Sequence, residues 1–200
     1  MKKLYYIAAF AGVVMFSSCT DHEIIPPPLP MVDLNCDCDI TVDGVAYTYM
    51  DSCYYFSEKS IISGGISNAR YRTLIKEEDL PGGFEMEIRA INWADDGSNN
   101  PTLAEWKSYF LDNPTPGYSA NIGHNGIAIR WTDPEGNIWI NDTNTDVCLR
   151  EFVFNSLIQE SDTTGDYMQF DATLKCKLVN PDLGTKCIEN GHVRSAFQLK

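Results

Sequence analysis

The 200-residue chain reads as all-β: an antiparallel β-sandwich carrying one short helix. Three observations predict this. Apolar residues recur at every second position over several segments, the signature of strands with one wet face. Turn residues separate those segments at hairpin spacing. Only one stretch carries helical grammar, and no strand–helix–strand alternation appears. A lipocalin-like β-barrel is the alternative, because hairpins in series also suit an up-and-down closure.

The elements follow in chain order. Asp43-Gly44 separates Ile40-Thr41-Val42 from Val45-Ala46-Tyr47-Thr48-Tyr49, a two-residue hairpin signal. Phe84, Met86, Ile88 and Ala90 alternate with Glu85, Glu87 and Arg89. Thr102-Leu103-Ala104-Glu105 is a capping box that opens a helix, with Leu103, Trp106 and Phe110 on one face and Asn113-Pro114 ending it. This helix is expected to cover an open end or edge of the sheets. Ile127, Ile129 and Trp131 lead through Asp133-Pro134-Glu135-Gly136, suited to a type I turn, into Ile138-Trp139-Ile140. Phe152 and Phe154 mark a strand over about 150–159. Met168, Phe170, Ala172, Leu174, Cys176 and Leu178 form the apolar face of a long strand, which Asn180 to Gly184 turns back. Asn190-Gly191 introduces a last strand over 192–199.

The N-terminus carries an address. Lys2 and Lys3 precede an apolar run, Leu4 to Phe16, of signal-peptide length and too short to span a bilayer. The run closes in Phe16-Ser17-Ser18-Cys19, which resembles the lipobox of bacterial lipoproteins. Residues 1–18 are then a leader and Cys19 is the lipidation site. Acyl chains such as palmitate contribute about 0.8 kcal/mol of membrane anchoring per buried methylene. Asp21 and Glu23 follow, and Ile24 to Pro30 reads as an extended polyproline spacer, so 19–34 is a tether and 35–200 a single β-rich domain.

The formal net charge is −13, and loss of the two leader lysines takes it to −15. Such a balance repels nucleic acid and anionic head groups and argues against binding either. Beyond Cys19 an even set of cysteines remains, a disulfide framework for an exported chain. Cys176 and Cys187 flank the Asn180 to Gly184 turn at nearly equal distance and are the first pair expected. Cys36 and Cys38 are expected to reach Cys53 and Cys148.

No residue set reaches a catalytic signature. His124 lies in a glycine-flanked loop without a nucleophile motif, and Glu85 and Glu87 read as the wet face of a strand. Asp142 to Asp146 spaces oxygens as calcium loops do but lacks the glycine and the closing glutamate; Asp95 to Asn100 is a second incomplete acidic loop. No catalytic residue, metal or cofactor is assigned. Trp139, between two isoleucines, is expected to face outward and is the one candidate ligand-binding residue, as a sugar-stacking platform.

The Ser-Ser-Cys leader, the Val-Asp-Gly-Val hairpin, the Asp-Pro-Glu-Gly-Asn-Ile-Trp hairpin and the Cys-Lys-Leu and Glu-Asn-Gly-His segments resemble small lipoproteins of gut Bacteroidota. The acids after Cys19 are similar to the surface-export signal of that phylum. The resemblance implies an outer-membrane lipoprotein on the cell surface, with a periplasm-facing location as the alternative, and brings no catalytic residues. The resulting expectation is a non-enzymatic binding or accessory module with a glycan or protein partner. The alternatives are an enzyme on extracellular polysaccharide and a barrel for a small ligand.

Overall fold

The structure, a computed structural model, describes residues 31–199 except 51, 63–65, 79–80, 95–99, 120–123 and 144–147. The leader, Cys19 and most of the tether lie outside the described residues, as do parts of both calcium-like loops. No helix among the described residues is long and apolar enough to cross a membrane.

Among the described residues, ten strands and one helix follow one another: β1 (Asp37–Val42), β2 (Val45–Tyr49), β3 (Ser52–Ile62), β4 (Ile66–Lys76), β5 (Gly83–Ala94), α1 (Leu103–Asp112), β6 (Gly126–Thr132), β7 (Ile138–Asn141), β8 (Glu151–Asp162), β9 (Gly165–Asn180) and β10 (Gly184–Leu199). Every strand pair is antiparallel. The hydrogen-bonded order is β2-β1-β10-β9-β7-β6-β5-β4-β3, with β8 also on β9. β7 and β8 share one edge of β9 at successive heights, since β8 pairs Lys175 back to Gly165 while β7 pairs Leu178 and Val179. The long strand β9 therefore belongs to two layers. Layer I is β2-β1-β10-β9-β8 and layer II is β7-β6-β5-β4-β3, joined at the β7–β9 corner. The sheet is not closed: β2 and β3 end it without pairing to each other. This is the sandwich-like all-β fold, not the barrel.

The core lies between the layers. Alternation on β9 buries Met168, Phe170, Ala172, Leu174, Cys176 and Leu178, as their spacing predicts. On β5 the alternation breaks at Ala90, whose φ of 61° is left-handed. There the β4–β5 register shifts between Ala69 and Tyr71, the mark of a bulge. The extra residue lets Ile91 and Trp93 point inward after Ile88. Hydrogen bonds cross between the layers: Thr73 to Ser195 at 2.7 Å, and Trp131 Nε1 to the Tyr49 hydroxyl at 2.8 Å.

Helix α1 begins with the capping box read from sequence: the Glu105 amide donates to the Thr102 hydroxyl at 3.3 Å, and the Thr102 amide donates to the Glu105 carboxylate at 2.8 Å. The helix closes one end of the sandwich. Trp106 and Phe110 are fully buried, Trp106 edge-on to Tyr71 of β4 and Phe110 stacked on Phe197 of β10. Leu103, expected on the same face, is at the rim and exposed. The Asp43-Gly44 turn has φ of 48° and 79°, as a two-residue hairpin requires.

The structure corrects three expectations. The Cys176–Cys187 pair does not form. Cys176 lies opposite Ile188 and Cys187 opposite Lys177, so the two cysteines are one register step apart and point to opposite faces. Cys187 pairs instead with Cys148, at a Cα separation of 5.7 Å; Cys36 reaches Cys53 as expected, at 6.2 Å, while Cys38 reaches neither Cys53 nor Cys148. Cys38 and Cys176 are free thiols in the core, and burial pushes both well above the usual thiol range. Last, β10 runs unbroken from Gly184; Asn190-Gly191 lies at a register shift within it and starts no new strand.

Candidate functional site

The outer face of layer II carries a ladder of alternating charge. β4 presents Arg70 and Arg72, β5 presents Glu85, Glu87 and Arg89, and β6 presents Arg130; cross-strand register sets Arg72 opposite Glu87 and Glu85 opposite Arg130. Arg70 reaches Glu58 of β3 and, at 3.8 Å, Glu87. Arg72 meets Glu85 at 3.4 Å, and Arg89 Nε meets Glu87 at 2.6 Å. Arg130 makes no ion pair among the described residues and is exposed.

These side chains wall a cleft of about 280 Å³, near the lower edge of small-ligand sites at about 300–1,000 Å³. It lies where β6 loses its neighbour. β7 pairs with β6 only at Arg130 to Thr132, and the segment Gly117 to Ser119 takes over at Ile127. The Ser119 amide donates to the Ile127 carbonyl at 2.8 Å and the Ile127 amide to the Gly117 carbonyl at 2.9 Å. Between the two supports, Asn141 bends in and its Oδ1 accepts from the Ile129 amide at 2.7 Å. Arg89 ties the Ser119 carbonyl to the cleft at 3.2 Å. Gly126 permits the crossing: a Cβ there, at φ 146°, would stand 2.5 Å from the Gly117 carbonyl oxygen. The fork thus opens the ladder and leaves Ala128, Ile140 and Asn141 lining the gap.

Two donors on residues of this cleft have no acceptor among the described residues. Asn141 is only 4 % exposed; its Oδ1 accepts from the Ile129 amide, and its Nδ2 has no partner among the described residues. Arg70 Nε is buried and unpartnered as well. A buried N–H without an acceptor costs about 1–3 kcal/mol, and both of these belong to residues of the cleft lining. The charge agrees: four arginines line the cleft against two glutamates, on a chain whose net charge is −13.

At the far end of β6, the turn that launches β7 is held by one carboxylate. Asp133 accepts from the Asn137 amide at 2.8 Å, the Glu135 amide at 3.1 Å, Asn137 Nδ2 at 3.1 Å and Trp139 Nε1 at 2.9 Å. Burial opposes its charge, but these hydrogen bonds outweigh burial and hold it below the usual carboxylate range.

The outer face of layer I carries a second ladder with a different balance. Asp37 pairs with Arg194 at 2.6 Å, His192 Nε2 meets Asp171 at 3.0 Å, Asn155 supports Asp171 at 2.8 Å, and Thr48 donates to Asp39 at 2.6 Å. Asp37, Asp39 and His192 place ligand-type atoms within 4.8 Å of one another. Asp37 and His192 are each already paired, to Arg194 and Asp171.

The remaining predicted site residues lie elsewhere. Trp139 is 2 % exposed and faces the core, stacked obliquely on Trp131 with ring centroids 6.4 Å apart, while Ile138 and Ile140 face outward. The β7 alternation is therefore opposite to the expected one, because Trp139 Nε1 finds Asp133 inside and its large ring fills the core. Trp139 is no ligand platform. Glu85 and Glu87 are on the outer face as read, within an arginine ladder. His124 is exposed at the end of the Ser119 segment, its carbonyl accepting from the Ser119 hydroxyl at 3.3 Å. Asp142 pairs with Lys177 at 3.0 Å. No candidate of the sequence reading belongs to the cleft except Glu85 and Glu87. Its signal was present in Arg70-Tyr71-Arg72 set against Glu85-Met86-Glu87-Ile88-Arg89, two strands with complementary charge on alternate positions.

No family model, curated protein or solved structure matches the chain.

Proposed function

We propose that the chain is a lipid-anchored module of the cell envelope that works by binding, with the cleft on the outer face of layer II as its contact site. Cys19 is the anchor, the acidic and proline-rich stretch after it the spacer, and the outer membrane, facing the cell exterior, the location. What carries the binding half of this reading is the fork at β6. It leaves an open cleft lined by charged and polar side chains, two of which hold donors without acceptors among the described residues. Layer II faces away from the core there and needs no rearrangement to admit a partner. Glu85 and Glu87 are engaged by arginines along one ladder, which favours recognition over a pair of carboxylates facing each other across a scissile bond.

Two experiments test this. Cys19→Ala should move the chain from the membrane fraction to the soluble fraction and abolish incorporation of labelled palmitate; continued labelling would refute the anchor. For binding, the full chain in detergent is applied to an array of neutral glycans, acidic glycans and envelope peptides. A hit that Ala128→Phe removes by filling the cleft supports the reading. No hit, or hits indifferent to Ala128→Phe in a normally folded variant, would sink it.

A further inference from the structure

We infer that the cleft recognises an oxyanion, a carboxylate or sulfate borne on a sugar ring; this rests on the binding reading above and names its ligand class. The first ground is donor excess. Arg89 and Arg130 line the cleft, Arg130 with no ion pair among the described residues, and Asn141 Nδ2 and Arg70 Nε lack acceptors. A group rich in acceptor lone pairs is what such a surface lacks, and arginine forks match carboxylate and sulfate edges with paired hydrogen bonds. Asn141 is the more telling of the two orphans. It is almost wholly buried, and the Ile129 amide fixes its orientation.

The second ground is electrostatic. A chain at −13 repels anions at long range. Beyond about 8 Å at physiological salt, though, exposed charges are largely screened. Arg70, Arg72 and Arg89 are met by Glu58, Glu85 and Glu87, which leaves the charge of Arg130 unanswered among the described residues. An anion that reaches it meets a positive site.

The third ground is apolar. Ile140, on the cleft wall, is 49 % exposed. An apolar side chain beside a cationic floor suits a ring with an apolar face and one charged substituent, and the cleft volume of about 280 Å³ lies near the lower edge of small-ligand sites.

The test is calorimetric titration of the full chain in detergent with four probes: galacturonate trimer, a sulfated galactose trimer, neutral galactose trimer and inorganic phosphate. At least one acidic trimer should bind at least about tenfold more tightly than the neutral one, and the two acidic arms tell carboxylate from sulfate. Arg130→Glu and Arg89→Gln should each weaken that binding at least about fivefold, and raising salt from 50 to 300 mM should weaken it further. Arg194→Gln, on the opposite face, should change nothing. Equal binding of neutral and acidic trimers, still blocked by Ala128→Phe, would overturn the oxyanion inference and leave the binding reading intact. Phosphate alone binding as tightly as the trimers, acidic binding indifferent to both arginine variants, or no binding of any probe would also overturn it.

Discussion

The two outer faces of the sandwich use the same device to different ends. Both carry charged ladders across antiparallel strands. On layer I the ladder is answered residue by residue: Arg194 with Asp37, His192 with Asp171, Asp39 with Thr48. On layer II Arg130 has no ion pair, and two buried donors have no acceptor among the described residues. The difference comes from topology. Layer I is continuous from β2 to β8, so Asp37 lies directly across from Arg194, Asp39 from Thr48 and Thr173 from His192. Layer II is forked at β6, where β7 leaves for β9 and the Gly117 to Ser119 segment enters, and the cleft is the gap between them. A balanced ladder stabilises a surface; an unbalanced one at a break in the sheet is equipped to meet something else.

The comparison can be broken at its shared frame. Cys36–Cys53 ties the strand entering layer I to β3 at the edge of layer II, and closing a 17-residue separation contributes about 3 kcal/mol in the chain-entropy account. The double variant Cys36→Ser/Cys53→Ser should lose about that much in denaturant unfolding, with both faces affected together. A loss confined to one face in hydrogen exchange would show that the layers are less coupled than their packing suggests.

The next effect separates the faces. Asp133→Asn should cost about 2–3 kcal/mol, because it weakens the acceptor of four hydrogen bonds at the β6–β7 turn. Its folded pKa lies below the unfolded value, so the ionised group contributes stability above about pH 4, and that contribution fades as pH falls through the folded value. Thermal melts from pH 7 to pH 2 should therefore be steeper for the native chain than for Asp133→Asn. Parallel curves would remove the carboxylate from the account.

Gly126→Ala sharpens the comparison at the cleft itself. The new Cβ meets the Gly117 carbonyl at a left-handed φ, a strain on the order of 1–3 kcal/mol. Amide exchange should rise in residues 117–119 and 127–129 and stay unchanged in β1 and β10. Uniform protection would mean the segment is not held as described.

The smallest effect is expected on layer I. Asp171 is held below the usual range: burial opposes its charge, but Asn155 and His192 outweigh it. Its stabilisation is present at neutral pH and lost on acidification through that lowered value. The groups are about a third exposed, so Asp171→Asn should cost less than about 1 kcal/mol. A cost comparable to that of Asp133→Asn would erase the distinction between surface ladder and buried turn.

What was legible in the sequence was local. The Asp43-Gly44 hairpin, the Thr102–Glu105 cap, the β9 alternation and the Asp133–Gly136 turn are written within a few residues of themselves, and all formed. What failed was register. Cys176 and Cys187 flank a turn almost symmetrically, yet a single step of pairing puts them on opposite faces. Trp139 turned inward because a partner six residues earlier, Asp133, waited inside. The β3–β4 hairpin is hard to read in the sequence because β4 hides its period in mixed residues: Ala69, Tyr71, Thr73 and Ile75 face the core. The cleft was beyond reach for another reason. Four strands and a crossing segment from different parts of the chain make it, and no one stretch of sequence carries it.

The account stands most directly on where an oxyanion goes. Crystals of the full chain grown without sulfate or phosphate and soaked in selenate would give an anomalous peak at the bound selenium. The account predicts the strongest peak within hydrogen-bond reach of Arg89, Arg130 or Asn141, absent in Arg130→Glu crystals soaked alike. A strongest peak at Lys186 or Arg194, or an empty cleft at saturating selenate, would contradict it.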